Sequence, residues 1–156
     1  MTAPSLAPPA IVQPEWIDFN GHLNVAFYLL LFDRGVDHVF EACGLGQAYA
    51  ETRQLSYFAA EKHLRYLREV KVGETVQVAL QLLEVDARKM RFAMEMRHAG
   101  GWLAATCESL AIHVDLATKK AAPWPDDIRA ALDAMLAAHA ALPVPDWAGK
   151  GIAMRR

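Results

Sequence analysis

The chain has 156 residues, of which 54% are hydrophobic and 22% are charged. This length and composition predict one globular domain with a single core. The formal net charge of -2 provides no overall attraction to nucleic acid or to an anionic membrane, so neither is predicted as a partner.

Three features of the sequence predict a protein of the cytoplasm. Residues 1–10 lack the basic flank and the apolar stretch of a secretion signal. The longest apolar run, residues 25–32, is much shorter than the roughly 20 residues that a membrane span requires. Cys43 and Cys107 are too few for a disulfide framework and lack metal-ligand spacing, so no metal is expected.

The N-terminal third predicts an arm, a short strand, a turn and a long helix. Residues 1–10 are rich in Pro, Ala and Ser and predict a flexible arm, and residues 11–17 predict an extended segment. Residues 18–24 have turn chemistry, in which Asn24 is a suitable N-cap. The helical pattern runs from Val25 to about Cys43. Its first half is apolar on all sides, and the polar residues of its second half share one face.

The rest of the chain predicts an antiparallel sheet and a second helix. After a linker at residues 47–54, strands are predicted at residues 56–70, 74–85, 88–98 and 102–116. Two of the connections are short enough for hairpins. The last helix begins after Pro125, has Asp126 and Asp127 in its first turn, and ends before Pro143.

Together these elements predict an α+β domain at residues 11–142, followed by a C-terminal tail at residues 143–156. A lone apolar helix needs cover on nearly every side, and no second layer of helices is available. A curved antiparallel sheet wrapped around this central helix provides the cover. The free edges of such a sheet predict a second copy of the chain beside it.

A cluster of polar residues comes directly before the apolar helix. In the segment DFNGHLNVAFY, Asp18, His22 and Asn24 fall within seven residues. The first N–H groups of a helix lack partners and lie at the positive end of its dipole. The donors around Asn24 and Val25 therefore suit an oxyanion, and Asp18 would lie beside them if the turn folds back across the helix end.

This segment and the order of the elements closely resemble the hot-dog-fold acyl-CoA thioesterases of the 4-hydroxybenzoyl-CoA thioesterase-like branch. The branch signature, Asp-x-x-Gly-His-x-Asn and then Tyr, is matched by Asp18, Gly21, His22, Asn24 and Tyr28. YLREVKVGETVQV and HVDLATKKAAPWP look like the central hairpin and the closing strand of the family. The resemblance covers residues 11–125 and implies a hot-dog fold that hydrolyses thioesters.

A narrower resemblance links the same segments to the thioesterases associated with carnitine dehydrogenase, whose proposed substrate is betainyl-CoA. It implies hydrolysis to glycine betaine and CoA in carnitine degradation, with CoA as part of the substrate and no cofactor. The alternatives are a thioesterase for another short-chain or aromatic acyl-CoA, a hot-dog dehydratase and a non-catalytic acyl-CoA-binding protein. Residues 25–32 lack the His–acid pair of the dehydratases, and a sensor would lose the acid at position 18.

The resemblance marks Asp18 as the catalytic acid, acting as nucleophile or as a general base for water. His22 and Asn24 are expected to orient Asp18, the water or the thioester, and the Val25 amide belongs to the oxyanion site. Family members generally form homodimers with each site between two subunits, and many of these dimers pair again into tetramers. We expect a homodimer here, with a dimer of dimers as the alternative.

Substrate contacts are predicted from the chemistry of the two halves of the substrate. A trimethylammonium group favours aromatic faces and a carboxylate. The candidates are Trp16, Phe19, Phe27, Tyr28, Tyr57, Phe58, Tyr66 and Glu61. CoA phosphates favour basic side chains. The resemblance points to Arg88 and Lys89, and further candidates are Arg65, Arg68 and Lys71.

Overall fold

The computed structural model describes residues 3–154, and its main feature is a seven-stranded antiparallel sheet. The long strands are β3 (Leu55–Tyr66), β4 (Thr75–Val85), β5 (Lys89–His98) and β6 (Leu103–Asp115). The short strands are β1 (Ser5–Leu6), β2 (Ala10–Ile11) and β7 (Lys120–Ala121). The helices are α1 (Val25–Glu41), α2 (Gln47–Arg53) and α3 (Asp126–His139). The strand order β1-β4-β5-β6-β3 leaves β3 at one edge of the sheet.

The core lies between α1 and one face of the sheet. Alternate side chains of β4 and β5 are buried, including Leu80, Leu82, Met94 and Met96. Gly35 marks the closest approach, because an added Cβ there would lie 2.8 Å from Cγ1 of Val78. Only glycine allows α1 to pack this closely on β4. The predicted α+β hot-dog architecture with a C-terminal helix is confirmed.

The prediction that the first half of α1 is buried on all sides is wrong. Val25 is 56% exposed and Leu29 is 39% exposed, whereas Tyr28, Leu31 and Phe32 are buried. The sheet covers α1 from one side only, so the opposite side of the first turns remains open in the single chain.

The predicted flexible arm at residues 1–10 is wrong where the structure describes it; residues 1 and 2 lie outside the described part. Ser5 pairs with Leu80 and Ala10 with Val76, so β1 and β2 add to β4. The pairing satisfies N–H and C=O groups of β4 that would otherwise form a bare edge. The predicted extended segment at residues 11–17 is interrupted by a 3₁₀ turn at Pro14–Trp16, because proline has no N–H for a ladder.

The predicted linker at residues 47–54 is the short helix α2. A helix of this length has little stability alone and depends on packing. Here Tyr49 is buried, and its hydroxyl lies 2.7 Å from Nε2 of His113 on β6.

The predicted strand at residues 56–70 ends earlier, at Tyr66. The N–H groups of Leu67 and Arg68 both donate to the carbonyl of Ala104, and this bends the chain.

The tail after α3 lies against the sheet face opposite α1. Residues 143–154 have no regular secondary structure, and residues 155 and 156 lie outside the described part. Trp147 is buried, and the N–H of Gly149 donates to Oε2 of Glu108 at 2.7 Å. Among residues 3–154, no helix has the length and hydropathy needed to cross a membrane.

Candidate active site

The turn before α1 carries Asp18 back across the start of the helix. The N–H of Asp18 donates to the carbonyl of His22 at 3.1 Å, and the N–H of Gly21 donates to the carbonyl of Asp18 at 3.0 Å. Gly21 has a φ of 83°, a left-handed conformation that favours glycine. Ile17 and Leu23 close the loop as an isolated antiparallel bridge. The polar residues therefore lie at the helix end because the turn is closed by its own hydrogen bonds.

Asn24 connects Asp18 to α1. Its Oδ1 accepts a hydrogen bond from the N–H of Ala26 at 2.9 Å and so caps the helix. Its Nδ2 donates to Oδ2 of Asp18 at 3.5 Å. The other carboxylate oxygen of Asp18 accepts from the N–H of Asn20 at 2.8 Å. Both oxygens of Asp18 are thus held in place beside the first turn of α1.

The amide of Val25 is the free donor of this first turn. The N–H of Phe27 donates to the carbonyl of Asn24 at 2.9 Å, and the N–H of Ala26 is capped. Val25 N–H has no hydrogen-bond partner within residues 3–154. An unpaired N–H at the positive end of a helix suits a negative charge that develops during a reaction. Asp18, Asn24 and Val25, three of the four predicted catalytic residues, therefore lie together.

The ring of His22 is directed elsewhere. Its Nε2 lies 3.8 Å from Oε2 of Glu69, and no hydrogen bond joins the ring to Asp18 in the described chain. Within the single chain, His22 therefore contacts Asp18 only through its backbone carbonyl. Its role in orienting the water or the thioester stays a prediction. Sequence reasoning missed Glu69, which lies in the loop between β3 and β4, where no periodic pattern marks it.

Three predicted substrate-binding residues lie at the N-terminal end of α1, and two of them are fixed by packing. Trp16 is buried and stacks on Phe27 with 5.7 Å between ring centroids. Tyr28 is buried and donates its hydroxyl to the carbonyl of Arg68 at 3.2 Å. Phe19 is 98% exposed. Of the three, Phe19 is the one that stands open to a ligand in the single chain.

Three further candidates, Tyr57, Phe58 and Glu61, lie on β3 away from Asp18. The Tyr57 ring meets Phe40 edge-on at 5.6 Å. Phe40 is 15 residues beyond the start of α1, which is roughly 22 Å along a helix. The structure therefore does not bring Tyr57 to the Asp18 of its own chain.

The predicted CoA-contacting residues divide in the same way. Arg65 and Arg68 lie at the end of β3 that is near the predicted catalytic turn, residues 18–24. Arg88 and Lys89 lie at the hairpin between β4 and β5, and Lys89 pairs with Ile112, which also pairs with the first half of β3. One chain therefore holds its two groups of basic residues at opposite ends of α1.

A cleft of about 500 Å³ between α1 and β3 was not predicted. Three carboxylates of α1 line it: Asp33, Asp37 and Glu41. Partial burial raises the pKa of Asp37, and the Asp33 and Glu41 carboxylates raise it further. The signal in the sequence was the repetition of acids every four residues, because like charges at this spacing oppose helix formation. By itself, the sequence pattern predicts only that these acids share a polar face.

Comparison with known proteins identifies the family. Residues 12–132 match the family model of the thioesterase-like superfamily. The chain is 38% identical to the betainyl-CoA thioesterase of Pseudomonas aeruginosa over 144 residues, which cover 92% of this chain and 91% of that protein. It is 35% identical to the L-carnitine dehydrogenase/betainyl-CoA thioesterase of Rhizobium meliloti over 93% of this chain, but spans only 29% of that longer protein.

The fold agrees with this assignment. A Staphylococcus aureus protein solved in complex with CoA superimposes with a TM-score of 0.91 over 99% of both chains, at 22% identity. The family match covers most of the chain and includes the catalytic turn, α1 and the four long strands. The protein is therefore a member of the thioesterase-like superfamily with the hot-dog fold.

Proposed function

We propose that this protein is an acyl-CoA thioesterase that hydrolyses betainyl-CoA to glycine betaine and CoA. The observation that carries the proposal is the position of Asp18 at the start of α1. Its Oδ2 lies 3.5 Å from Nδ2 of Asn24, and Asn24 directly precedes Val25, whose amide is unpaired in the described chain. The 38% identity to a relative named for this activity supports the choice of substrate. CoA is part of the substrate, so the proposed reaction requires no cofactor.

The reaction replaces the C–S bond of the thioester with a C–O bond to water. As the carbonyl carbon becomes tetrahedral, its oxygen gains negative charge and accepts a hydrogen bond from Val25 N–H. In one route Asp18 takes a proton from the attacking water, CoA leaves as a thiolate, and the proton passes to the sulfur. In the other, Asp18 attacks the carbonyl and displaces CoA as a thiolate. Water then cleaves the mixed anhydride to the Asp18 carboxylate and glycine betaine, and one of its protons passes to the thiolate. Label in the Asp18 carboxylate after a single turnover in ¹⁸O-labelled water would establish the anhydride route, because the general-base route places the label only in glycine betaine.

We propose that a second copy of the chain completes the site. β3 has β6 on one side and no strand on the other within residues 3–154. Apolar side chains are exposed along this edge and at the start of α1. They are Val25, Leu29, Phe58, Tyr66 and Leu67. Pairing β3 with its copy about a two-fold axis would continue the sheet and cover these groups.

Such pairing would also unite groups that one chain keeps apart. β3 runs antiparallel to α1, with Tyr66 packed on Tyr28 near the catalytic turn and Tyr57 packed on Phe40 near the other end. Antiparallel pairing of two β3 strands lays the Tyr57 end of one chain beside the Tyr66 end of the other. The catalytic turn of one copy then lies near the basic β4–β5 hairpin of the other, where the CoA phosphates are proposed to bind.

The cytoplasm is the proposed compartment. Cys43 and Cys107 are both free thiols, and free thiols are typical of proteins from reducing compartments.

The test is the release of CoA from a panel of acyl-CoA thioesters, measured with a thiol-reactive dye. We expect betainyl-CoA to have a higher kcat/KM than short-chain and aromatic thioesters. If no thioester in the panel releases CoA, the thioesterase proposal is overturned. If another acyl group has a higher kcat/KM, the betainyl assignment is overturned. Light scattering tests the assembly, because a fully active monomer would contradict a shared site.

A further inference from the structure

The cleft between α1 and β3 has two chemically different sides. α1 contributes the carboxylates of Asp33, Asp37 and Glu41, and the sheet contributes the rings of Tyr57 and Phe92. Its volume of about 500 Å³ is typical of small-ligand sites, which range from roughly 300 to 1,000 Å³. The cleft therefore combines negative charge with aromatic surface.

The negative charge in the cleft is only partly neutralised. Lys62 is the basic residue among the lining side chains, and its Nζ lies 3.9 Å from Oδ1 of Asp33. Within residues 3–154, Asp37 has no ion pair. Partial burial and then the Asp33 and Glu41 carboxylates raise the pKa of Asp37. These surroundings disfavour the ionised form of Asp37, so a cation bound beside it would relieve the repulsion.

Tyr57 provides a fixed aromatic ring next to these carboxylates. Its ring packs edge-on against Phe40 at 5.6 Å, which limits its movement. Burial, with a smaller effect of Asp37 and Asp33, raises the pKa of the Tyr57 hydroxyl, so this group remains neutral beside the acids. An aromatic face next to a carboxylate that is only partly neutralised suits a quaternary ammonium ion, which has no N–H to donate and is held by charge and by the π-system.

A separate observation points to the same kind of ligand. The relative that is 38% identical over 92% of the chain is named for betainyl-CoA, whose acyl group ends in trimethylammonium. The distance from Val25 to Asp37 along α1 is roughly 18 Å, too long for the two-carbon betainyl group to join the Val25 amide and the cleft of one chain. The proposed pairing of β3 with its copy removes this difficulty, because it brings the cleft of one chain towards the catalytic turn of the other.

We infer that the cleft between α1 and β3 binds the trimethylammonium group of the acyl chain. Asp37 and Asp33 supply the negative charge and Tyr57 supplies the aromatic face, while the thioester lies at the catalytic turn of the second copy. The inference rests on the proposed function and deepens it, because it assigns the residues that select a cationic acyl group over a neutral one of the same shape.

A matched pair of substrates tests this selection. Betainyl-CoA and 3,3-dimethylbutyryl-CoA have the same shape and differ in one atom, a positively charged nitrogen in place of carbon. We measure kcat/KM for each and use their ratio as the readout. Asp37→Asn should lower the betainyl preference about tenfold, and the double variant Asp33→Asn/Asp37→Asn should lower it further. The control is Asp126→Asn, which removes the same charge at the start of α3, outside the cleft.

A second pair of variants tests the aromatic face. Tyr57→Phe keeps the ring and should retain most of the betainyl preference. Tyr57→Leu keeps a large apolar side chain without the π-system and should lower the preference roughly three- to tenfold.

The outcomes separate the inference from the proposed function. If the wild-type protein releases CoA from neither thioester, the proposed function fails. If it prefers betainyl-CoA and the Asp37, Asp33 and Tyr57 variants keep the wild-type ratio, the cleft inference is overturned and the proposed function stands. Equal losses with both substrates also overturn the inference, because they show damage without selectivity for charge.

Discussion

The two ends of α1 differ in how their charged groups are satisfied. At the N-terminal end, the Asp18 carboxylate accepts two hydrogen bonds and Asn24 caps the helix, so the unpaired group is the Val25 N–H. At the other end, Asp37 has no ion pair among the described residues, and burial, Asp33 and Glu41 raise its pKa more than Lys62 lowers it. The first end suits a negative charge that develops during a reaction. The second suits a positive charge that a ligand carries throughout.

This contrast separates groups that help folding from groups that oppose it. The Asn24 cap stabilises α1 and at the same time orients Asp18, so structure and proposed chemistry favour the same residue. Acids one turn apart, such as Asp33 and Asp37, destabilise a helix. A local arrangement that opposes folding without a compensating contact is a candidate for function. The predictions below test each end separately.

The largest effect is expected at the N-terminal end. Asp18→Asn should lower kcat for betainyl-CoA by at least about a thousandfold, because the variant loses the base or nucleophile. Its Tm should change little, because an amide oxygen can still accept the Asn20 N–H. CoA release and thermal unfolding measure the two quantities. Glu15→Gln, an exposed acid three residues earlier, is the control, and a variant that keeps about a tenth of the activity would move the chemistry away from Asp18.

The next prediction tests whether the two ends meet across two chains. Asp18→Asn and the double variant Arg88→Ala/Lys89→Ala should each have low activity at limiting substrate. After the two proteins are unfolded and refolded together, half of the dimers contain one chain of each kind, and each such dimer has one intact site. Activity should then recover to about a quarter of the wild-type value. No recovery, with mixed dimers demonstrated by mass spectrometry, would show that both groups act within one chain.

The N-terminal end was predictable because its interactions are local. The turn, the N-cap and the acid lie within seven residues, and their mutual contacts depend on hydrogen bonds inside that segment. The long strands were predictable because alternation reports directly which face is buried. The direction of the His22 ring was not predictable. Its neighbour Glu69 is 47 residues further along the sequence and is positioned by the loop after β3.

The acidic end was not predictable because it forms between distant elements. Asp37 and Tyr57 become neighbours only when β3 pairs with β6 and α1 packs across the sheet. The prediction of a flexible arm was wrong for a similar reason. Ser5 pairs with Leu80 because β4 offers a free edge, not because the segment favours a strand. Tyr49 likewise holds α2 through a contact with β6 that no local pattern reveals.

A smaller effect separates the two tasks of Asn24. Asn24→Ala should lower kcat by roughly ten- to a hundredfold, because Asp18 loses its amide donor. It should also lower Tm by about 2–4 °C through loss of the cap. Asn24→Ser keeps a capping oxygen and lacks the amide donor, so it should reproduce the kcat loss with little change in Tm. If Asn24→Ser keeps both the kcat and the Tm of the wild type while Asn24→Ala loses both, Asn24 acts only through the helix.

The smallest effect concerns stability at the acidic end. Partial burial and then Asp33 and Glu41 raise the pKa of Asp37 above its ordinary value of 3.8. The unfolded chain therefore releases this proton at a lower pH than the folded protein. The folded state loses stability as pH rises from 3.8 towards the raised pKa, and the full penalty is present above it. Asp37→Asn removes the penalty, so its Tm at neutral pH should exceed that of the wild type by up to about 2 °C.

The pH dependence of this gain identifies its cause. The gain should shrink as pH falls from the raised pKa of Asp37 towards 3.8, because the Asp37 carboxyl of the folded protein becomes protonated and then resembles the amide. Asp126→Asn provides the opposite case, because Asp126 lies in the first turn of α3 and its charge is favourable there; this variant should have a lower Tm at neutral pH. A gain for Asp37→Asn that stays constant with pH would show that packing is responsible. A loss at neutral pH would show that the Asp37 charge supports the fold, and the two ends of α1 would then no longer differ in the way proposed.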